Sequence, residues 1–276
     1  MRPFCHILCG KAGDPMPRTY SVFGSDDRQC YLAALLDQLG FPVIHSRSTV
    51  RFAEVTVLPI PSITKDGNIA GTDLLFTDFL QFVPASTVLW GTGFAPHISL
   101  AENTGVMLKD FTRFPTFAEG NAIPTAEGAL QLAMEHLPTT IRNGRFLVIG
   151  YGRIGKELTA MLSALGAAVT VARRDGLADD FRTDQTGSYR FGLYEYDAIF
   201  NTVPEPVFSE EHCLQTRKDC LLIDLASLPG GIAKTTERNL LHALGLPAKV
   251  APKTAAKIML SVLLNEMEGN EWNMLQ

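Results

Sequence analysis

Phe146-Leu-Val-Ile-Gly150-Tyr-Gly152-Arg-Ile-Gly155-Lys-Glu-Leu158 decides the fold. It reads as a buried strand, a three-glycine turn and the opening of a helix. The helix carries Leu158, Met161, Leu162 and Leu165 at apolar spacing and ends at Gly166. Gly150 permits the tight turn, Gly152 lets the backbone approach a pyrophosphate, and Gly155 lets helix and strand pack closely. The positive helix N-terminus suits phosphates, so Gly150, Gly152, Arg153, Ile154 and Gly155 are expected to hold a dinucleotide. The next strand, Val169-Thr-Val-Ala172, ends in Arg173-Arg174, with Asp175 one step late. A carboxylate at that tip would bond a ribose 2′-hydroxyl. Two guanidiniums suit a 2′-phosphate instead, so the expected cofactor is NADP.

Ile199-Phe-Asn-Thr202-Val203-Pro204 and Leu222-Ile-Asp-Leu-Ala226-Ser227 are two further strand ends. Ligands of open parallel sheets bind beyond the carboxyl ends of strands. Thr202, Val203, Pro204, Ala226 and Ser227 are therefore expected to line the nicotinamide and its ribose. Before residue 123 a second set of short apolar runs alternates with helical segments: Tyr20–Phe23, Val43–His45, Val55–Leu58, Thr87–Trp90 and Gly105–Leu108. Pro124 and Thr125 read as the opening of a helix closed by Pro138, and Pro252 as the opening of a last helix. The expected architecture is α/β: a Rossmann-type doubly wound parallel sheet plus a second, flavodoxin-like α/β lobe, with a cleft between them. The expected domains are 19–123 with 252–276 for substrate and 124–251 for NADP. Residues 1–18 are expected to be a disordered extension or a misplaced start, since the pattern begins only at Thr19 and Met16 just precedes it.

Composition narrows the class. Of 276 residues, 46% are hydrophobic and 19% charged, enough apolar material for a core. The 24 basic and 29 acidic residues leave a formal charge of -5, which argues against a nucleic-acid partner. No run approaches the roughly 18 apolar residues of a membrane helix. Five cysteines without a C-x-x-C pair argue against a disulfide scaffold and for a reducing cytoplasm. The histidines show no metal-binding spacing, no metal is expected, and no G-x-S-x-G elbow occurs.

Five motifs in order, Ile123-Pro-Thr-Ala-Glu-Gly128, Gly150-Tyr-Gly-Arg-Ile-Gly155, Asn201-Thr-Val-Pro204, Asp224-Leu-Ala-Ser-Leu-Pro-Gly-Gly231 and Ala251-Pro-Lys-Thr-Ala255, together with Gly24-Ser-Asp-Asp-Arg-Gln29, resemble those of the family formed by the A subunits of dipicolinate synthase. The resemblance runs from about Thr19 to Leu264. It implies an NADP-linked cytoplasmic protein in the mother cell of a spore-forming bacterium, with a role in sporulation. Such a protein oxidises a dihydrodipicolinate-type intermediate to dipicolinate (pyridine-2,6-dicarboxylate). The resemblance also implies a partner, the flavoprotein-like second subunit of dipicolinate synthase, together with a homo-oligomer and a fold like that of 2-hydroxyacid and alanine dehydrogenases. The Arg, Glu and His catalytic set of the hydroxyacid enzymes cannot be assembled at the expected places.

Such an oxidation removes a hydride and a proton, so the protein must hold two carboxylates and orient the ring. Arg28, with Asp26 or Asp27 capping its helix, and Lys253 with Thr254 at the opening of the last helix, are the candidate carboxylate ligands. Thr125 is a further substrate ligand. Glu127 and His136 join Lys253, Arg28 and Asp26 as candidate catalytic groups, although Glu127 at a first turn and His136 at a last turn also suit a helix dipole. The base stays open. Two other readings stay open with it: a dehydrogenase of another small carboxylate, and a non-catalytic NADP-binding scaffold or sensor.

Overall fold

The computed structural model describes residues 18–173, 182–185, 192–235 and 238–274. The expected N-terminal extension, Arg18 apart, lies outside the described residues, and so does Arg174. Two compact units divide the chain: Met1–Phe117 with Pro252–Gln276, and Ala118–Ala251.

The first unit begins β1 (Tyr20–Phe23), α1 (Asp27–Gln38), β2 (Val43–Ser46), β3 (Val55–Val57), α2 (Phe76–Leu80), β4 (Val88–Gly91), α3 (Ile98–Thr104) and β5 (Met107–Asp110). All strands pair in parallel in the order β2-β1-β3-β4-β5, the flavodoxin-like order. Parallel strands are apolar on both faces because helices cover both. Tyr20, Val22, Val55, Val57 and Trp90 meet Leu32 and Leu36 of α1 on one face. Phe23, Leu58 and Leu89 meet Phe76, Phe79 and Ala101 of α2 and α3 on the other.

A 22-residue helix, α4 (Pro115–His136), follows, and here the sequence reading needs correction. Pro124 does not open a helix but lies inside one. Its missing N–H leaves the preceding turn short of a donor. The carbonyl that loses its donor is Gly120 O, and Thr125 Oγ1 donates to the next one, Asn121 O, at 2.6 Å. Ala122, Ala126, Ala129 and Ala133 form one buried stripe across the proline, so burial of a single face outweighs the lost hydrogen bond. The units accordingly divide at 117/118, ahead of the proline.

The second unit continues with β6 (Arg145–Ile149), α5 (Arg153–Ala164), β7 (Ala168–Arg173), β8 (Arg182–Gln185), β9 (Ala198–Asn201), α6 (Glu210–Gln215), β10 (Leu221–Asp224), β11 (Asn239–His242) and α7 (Leu246–Val250). Its all-parallel order β11-β10-β9-β6-β7-β8 is that of a doubly wound dinucleotide-binding sheet. Phe146, Val148 and Phe200 face Leu158 and Leu162 of α5 and Ala126, Ala129 and Ala133 of α4. Leu147, Ile149 and Ile199 face Cys213, Cys220 and Phe208. The two edge strands, β8 and β11, are absent from the sequence reading. Among the described residues each has one neighbour only, and β8 contains no apolar residue, so neither leaves a burial pattern to read. The last helix, α8 (Pro252–Met274), returns to the first unit, where Ala256, Met259, Val262 and Leu263 join the core under α1. Among the described residues no helix is long and apolar enough to cross a membrane.

Candidate functional site

In the second unit the strand order reverses between β6 and β9, and the loops that leave these two strands define the crevice where a ligand of such a sheet sits. Gly150 takes φ +95°, and a Cβ there would meet Thr202 Oγ1 and Val203 Cγ2, so the two loops touch at this residue. Thr202 is held in turn, its N–H and Oγ1 each donating to Ile149 O at 2.9 Å. A Cβ on Gly155 would stand 2.2 Å from Gly150 O, which only a hydrogen permits. Gly152 differs: among the described residues a Cβ there meets nothing within 4 Å. It is exposed, it is the N-cap of α5, and no side chain caps that helix. The first-turn N–H groups of Arg153, Ile154 and Gly155 have no acceptor within the helix, and the open space at Gly152 beside this positive helix end fits a pyrophosphate.

The far side of this crevice rests on a carboxylate that sequence reasoning passed over. Asp224, fully buried at the end of β10, accepts at Oδ1 from Asn201 Nδ2 (2.8 Å) and Ala226 N (3.1 Å). Its Oδ2 accepts from Gly231 N (2.8 Å) and Ile232 N (3.0 Å). Asn201 also spans Val203, donating to its carbonyl at 2.9 Å and accepting from its N–H at 3.0 Å. One acid therefore sets both the Thr202–Pro204 loop and the Ala226–Ser227 loop. Register places Ala172, Ile149, Asn201, Asp224 and His242 in one row across the sheet, with His242 Nδ1 4.0 Å from Asp224 Oδ2. A lone Asp closing the apolar run Leu221–Ile223 was the available signal: a charge so placed needs donors, and Gly230-Gly231 supplies the backbone that reaches it.

In the first unit the strand order reverses between β1 and β3. Asp26, the N-cap of α1, accepts from Gln29 N at 2.9 Å, as capping requires. Arg28 is not a solvated first-turn charge. Its side chain is 6% exposed, its Nη2 donates to Ile60 O at 2.6 Å and lies 3.6 Å from Asp26 Oδ2. Its Nε is buried with no hydrogen-bond partner among the described residues. Burial lowers the guanidinium from its ordinary value while the Asp26 carboxylate opposes, and it stays charged. Gln29, also buried, donates to Leu58 O at 2.9 Å and leaves its own Oε1 unpartnered. Ser62 Oγ donates to Pro59 O (2.6 Å) and accepts from Thr92 N (2.8 Å), which sets the loop presenting Ile60 O. The result is a buried cation at a switch point beside a helix N-terminus, with one carboxylate nearby that is itself 41% exposed. Lys253 and Thr254 are exposed on the first turn of α8.

The remaining predicted residues separate. Thr125 and Glu127 lie mid-helix in α4, so the helix-terminus basis for anion binding or dipole pairing falls away. Thr125 is buried and donates to Asn121 O, and Glu127 is exposed. His136 is exposed on the last turn of α4 and leads into the N-terminal end of β6, the sheet edge opposite the glycine loop. The structure thus does not bring it to Gly152. Arg173 stands at the tip of β7 beside the ring of Tyr151. Among the described residues no group of three or more His, Cys, Asp or Glu could hold a metal ion.

One relative known by sequence and two solved structures are similar over most of the chain. The A subunit of dipicolinate synthase from Bacillus subtilis is 32% identical over 240 residues, 78% of this chain and 79% of that protein. The crystal structure of the corresponding A subunit from Bacillus halodurans superposes with a TM-score of 0.76 at 25% identity, covering 90% of this chain and 97% of that one. The crystal structure of the Bacillus subtilis A subunit gives the same TM-score and identity, over 94% and 100%. No family model matches the chain.

Proposed function

The chain belongs to the family of dipicolinate synthase A subunits, and from that premise we propose that it oxidises a dihydrodipicolinate-type intermediate to dipicolinate with NADP during sporulation. Loss of one hydride and one proton turns the dihydropyridine dicarboxylate into an aromatic ring, which supplies driving force. The observation that carries the reading is the contrast between Gly152, whose Cβ would enter open space, and Gly155, whose Cβ would strike Gly150 O. The first leaves room for a pyrophosphate and the second presses the helix end to the strand, as a dinucleotide loop needs.

Gly150, Gly152 and the N–H groups of Arg153, Ile154 and Gly155 would hold the diphosphate. Arg173 and Arg174 would take the 2′-phosphate, and Thr202–Pro204 with Ala226–Ser227 would line the nicotinamide end. An oxidised nicotinamide supplies the hydride acceptor. Arg28 is the principal carboxylate ligand: a buried guanidinium with an unpartnered Nε is incompletely neutralised, and a substrate carboxylate would complete it. Lys253 and Thr254 supply a second set of donors, exposed where Arg28 is buried. The protein works in the cytoplasm as a homo-oligomer, together with the flavoprotein-like second subunit of the synthase.

The test is a titration of the purified protein with NADPH and NADH by nicotinamide fluorescence, followed by freshly generated dihydrodipicolinate with NADP, read by absorbance. Tighter binding of NADPH and formation of NADPH are expected. Binding without turnover, restored by the flavoprotein-like partner, would move the missing proton acceptor to that partner. Failure to bind either nucleotide would overturn the reading.

A further inference from the structure

His242, the last residue of β11, has no part in the dinucleotide loop, yet its imidazole stands beside the carboxylate that shapes the far side of the crevice. Parallel pairing sets it opposite Asp224, at the carboxyl end of the sheet where ligands bind. Nδ1 lies 4.0 Å from Asp224 Oδ2, too far for a hydrogen bond but within reach of an ion pair. A Cβ on Gly230 would meet both Asp224 Oδ2 (2.6 Å) and His242 Cε1 (3.3 Å), so the ring reaches back over the turn that leaves β10. That turn is closed by Gly230 N donating to Ser227 O at 2.9 Å, and it carries the Ala226 and Ser227 expected to line the nicotinamide.

The Asp224 carboxylate is fully buried, and its four hydrogen bonds come from uncharged N–H groups. Among the described residues no Lys or Arg pairs with it, and a protonated His242 is the cation within reach. An acid held in this way steadies an imidazolium as the ring takes up a proton, the part an aspartate plays in a Ser-His-Asp triad. The His242 side chain is 31% exposed, and among the described residues neither ring nitrogen makes a hydrogen bond, so Nε2 can take a proton and water can remove it. We propose that His242, backed by Asp224, is the proton acceptor of the oxidation. One ring C–H bond of the dihydropyridine gives its hydrogen and electron pair to the oxidised nicotinamide as hydride. A second ring hydrogen passes to Nε2 as a proton, its bonding pair enters the aromatic ring, and the imidazolium then releases the proton to water. This rests on the oxidation reading and supplies the base that the sequence leaves open.

The experiment compares the wild type with His242→Gln and His242→Ala in the absorbance assay with NADP and freshly generated dihydrodipicolinate, while nicotinamide fluorescence gives the NADPH dissociation constants. Each substitution is expected to lower kcat about 100-fold or more, the contribution of a general base, with KM and NADPH affinity within about threefold of wild type. Added imidazole is expected to restore part of the rate in His242→Ala, which it would not do for a merely structural histidine. An undiminished kcat, a parallel loss of NADPH affinity, or a His242→Ala rate that imidazole leaves unchanged overturns the proposal. Turnover that appears only with the flavoprotein-like partner would place the base there and overturn it too. A wild type that binds neither nucleotide overturns the dinucleotide reading itself, and is distinguished by being seen before any substitution.

Discussion

Alanine at Gly152 and at Gly155 should have opposite consequences, although the two glycines are three residues apart in one loop. At Gly152 the backbone (φ -79°, ψ -161°) is open to any residue, and the added Cβ meets no atom of the described residues within 4 Å. The change removes some N-cap preference but also reduces unfolded-state entropy, and these offset one another to within about 1 kcal/mol. Stability should hold while the methyl group occupies the space a diphosphate needs, raising the NADPH dissociation constant by about 100-fold or more. At Gly155 the Cβ would sit 2.2 Å from Gly150 O, where about 3.4 Å is comfortable, so helix and loop must part by more than an ångström. Overpacking of this kind costs roughly 1–3 kcal/mol, towards the top of that range here because the obstacle is backbone. Urea denaturation followed by circular dichroism reads the first quantity and nicotinamide fluorescence the second. Gly152→Ala with wild-type NADPH affinity would refute the placement of a dinucleotide on this loop. Gly155→Ala with unchanged stability would refute the packing account.

Further outcomes follow from the same geometry. Asp224→Ala strips the acceptor from Asn201 Nδ2 and from the N–H groups of Ala226, Gly231 and Ile232; at roughly 1–3 kcal/mol per buried orphaned donor it should cost about 4 kcal/mol or more in urea denaturation, and Asp224→Asn should recover part. A loss below about 1 kcal/mol would mean the network is not closed as described. Arg28→Met should lower kcat/KM for the dihydropyridine dicarboxylate about 10- to 100-fold, the range of a charge-assisted hydrogen bond, while leaving NADPH binding unchanged; parallel loss of both would count against a substrate role. Burial pushes the Cys213 thiol to about 11 and the Cys220 thiol to about 12, against an ordinary value of 9.0, and Tyr20 to about 12 from 10.0. Above pH 9 the unfolded chain therefore sheds protons that the folded chain keeps, so the urea midpoint should fall as pH rises from 8 to 10.5, and less steeply in Cys220→Ala. A level or rising midpoint would contradict those burials.

Local chemistry determined what could be read without coordinates. A run such as Phe146–Ile149 is apolar on every residue because a parallel strand is covered on both faces, and three glycines at that spacing have few uses other than a turn, an open approach and a close crossing. A cap at Asp26 or Asp27 could be placed because N-capping needs only four consecutive residues, as from Asp26 to Gln29. Tertiary structure alone decided the rest. Pro124 lies inside α4 because the stripe Ala122, Ala126, Ala129 and Ala133 is buried as one face, which no start signal reveals. Edge strands β8 and β11 exist because β7 and β10 offer them unpaired backbone. Arg28 is a buried cation because the loop after β3 folds Ile60 O onto it from 32 residues away. Asp224 organises the second loop through donors lying both in its own turn and 23 residues earlier at Asn201. Hydrogen bonds of that separation depend on which strands become neighbours, and the order of strands in a sheet is set by the packing of the whole unit, not by the residues of any one strand.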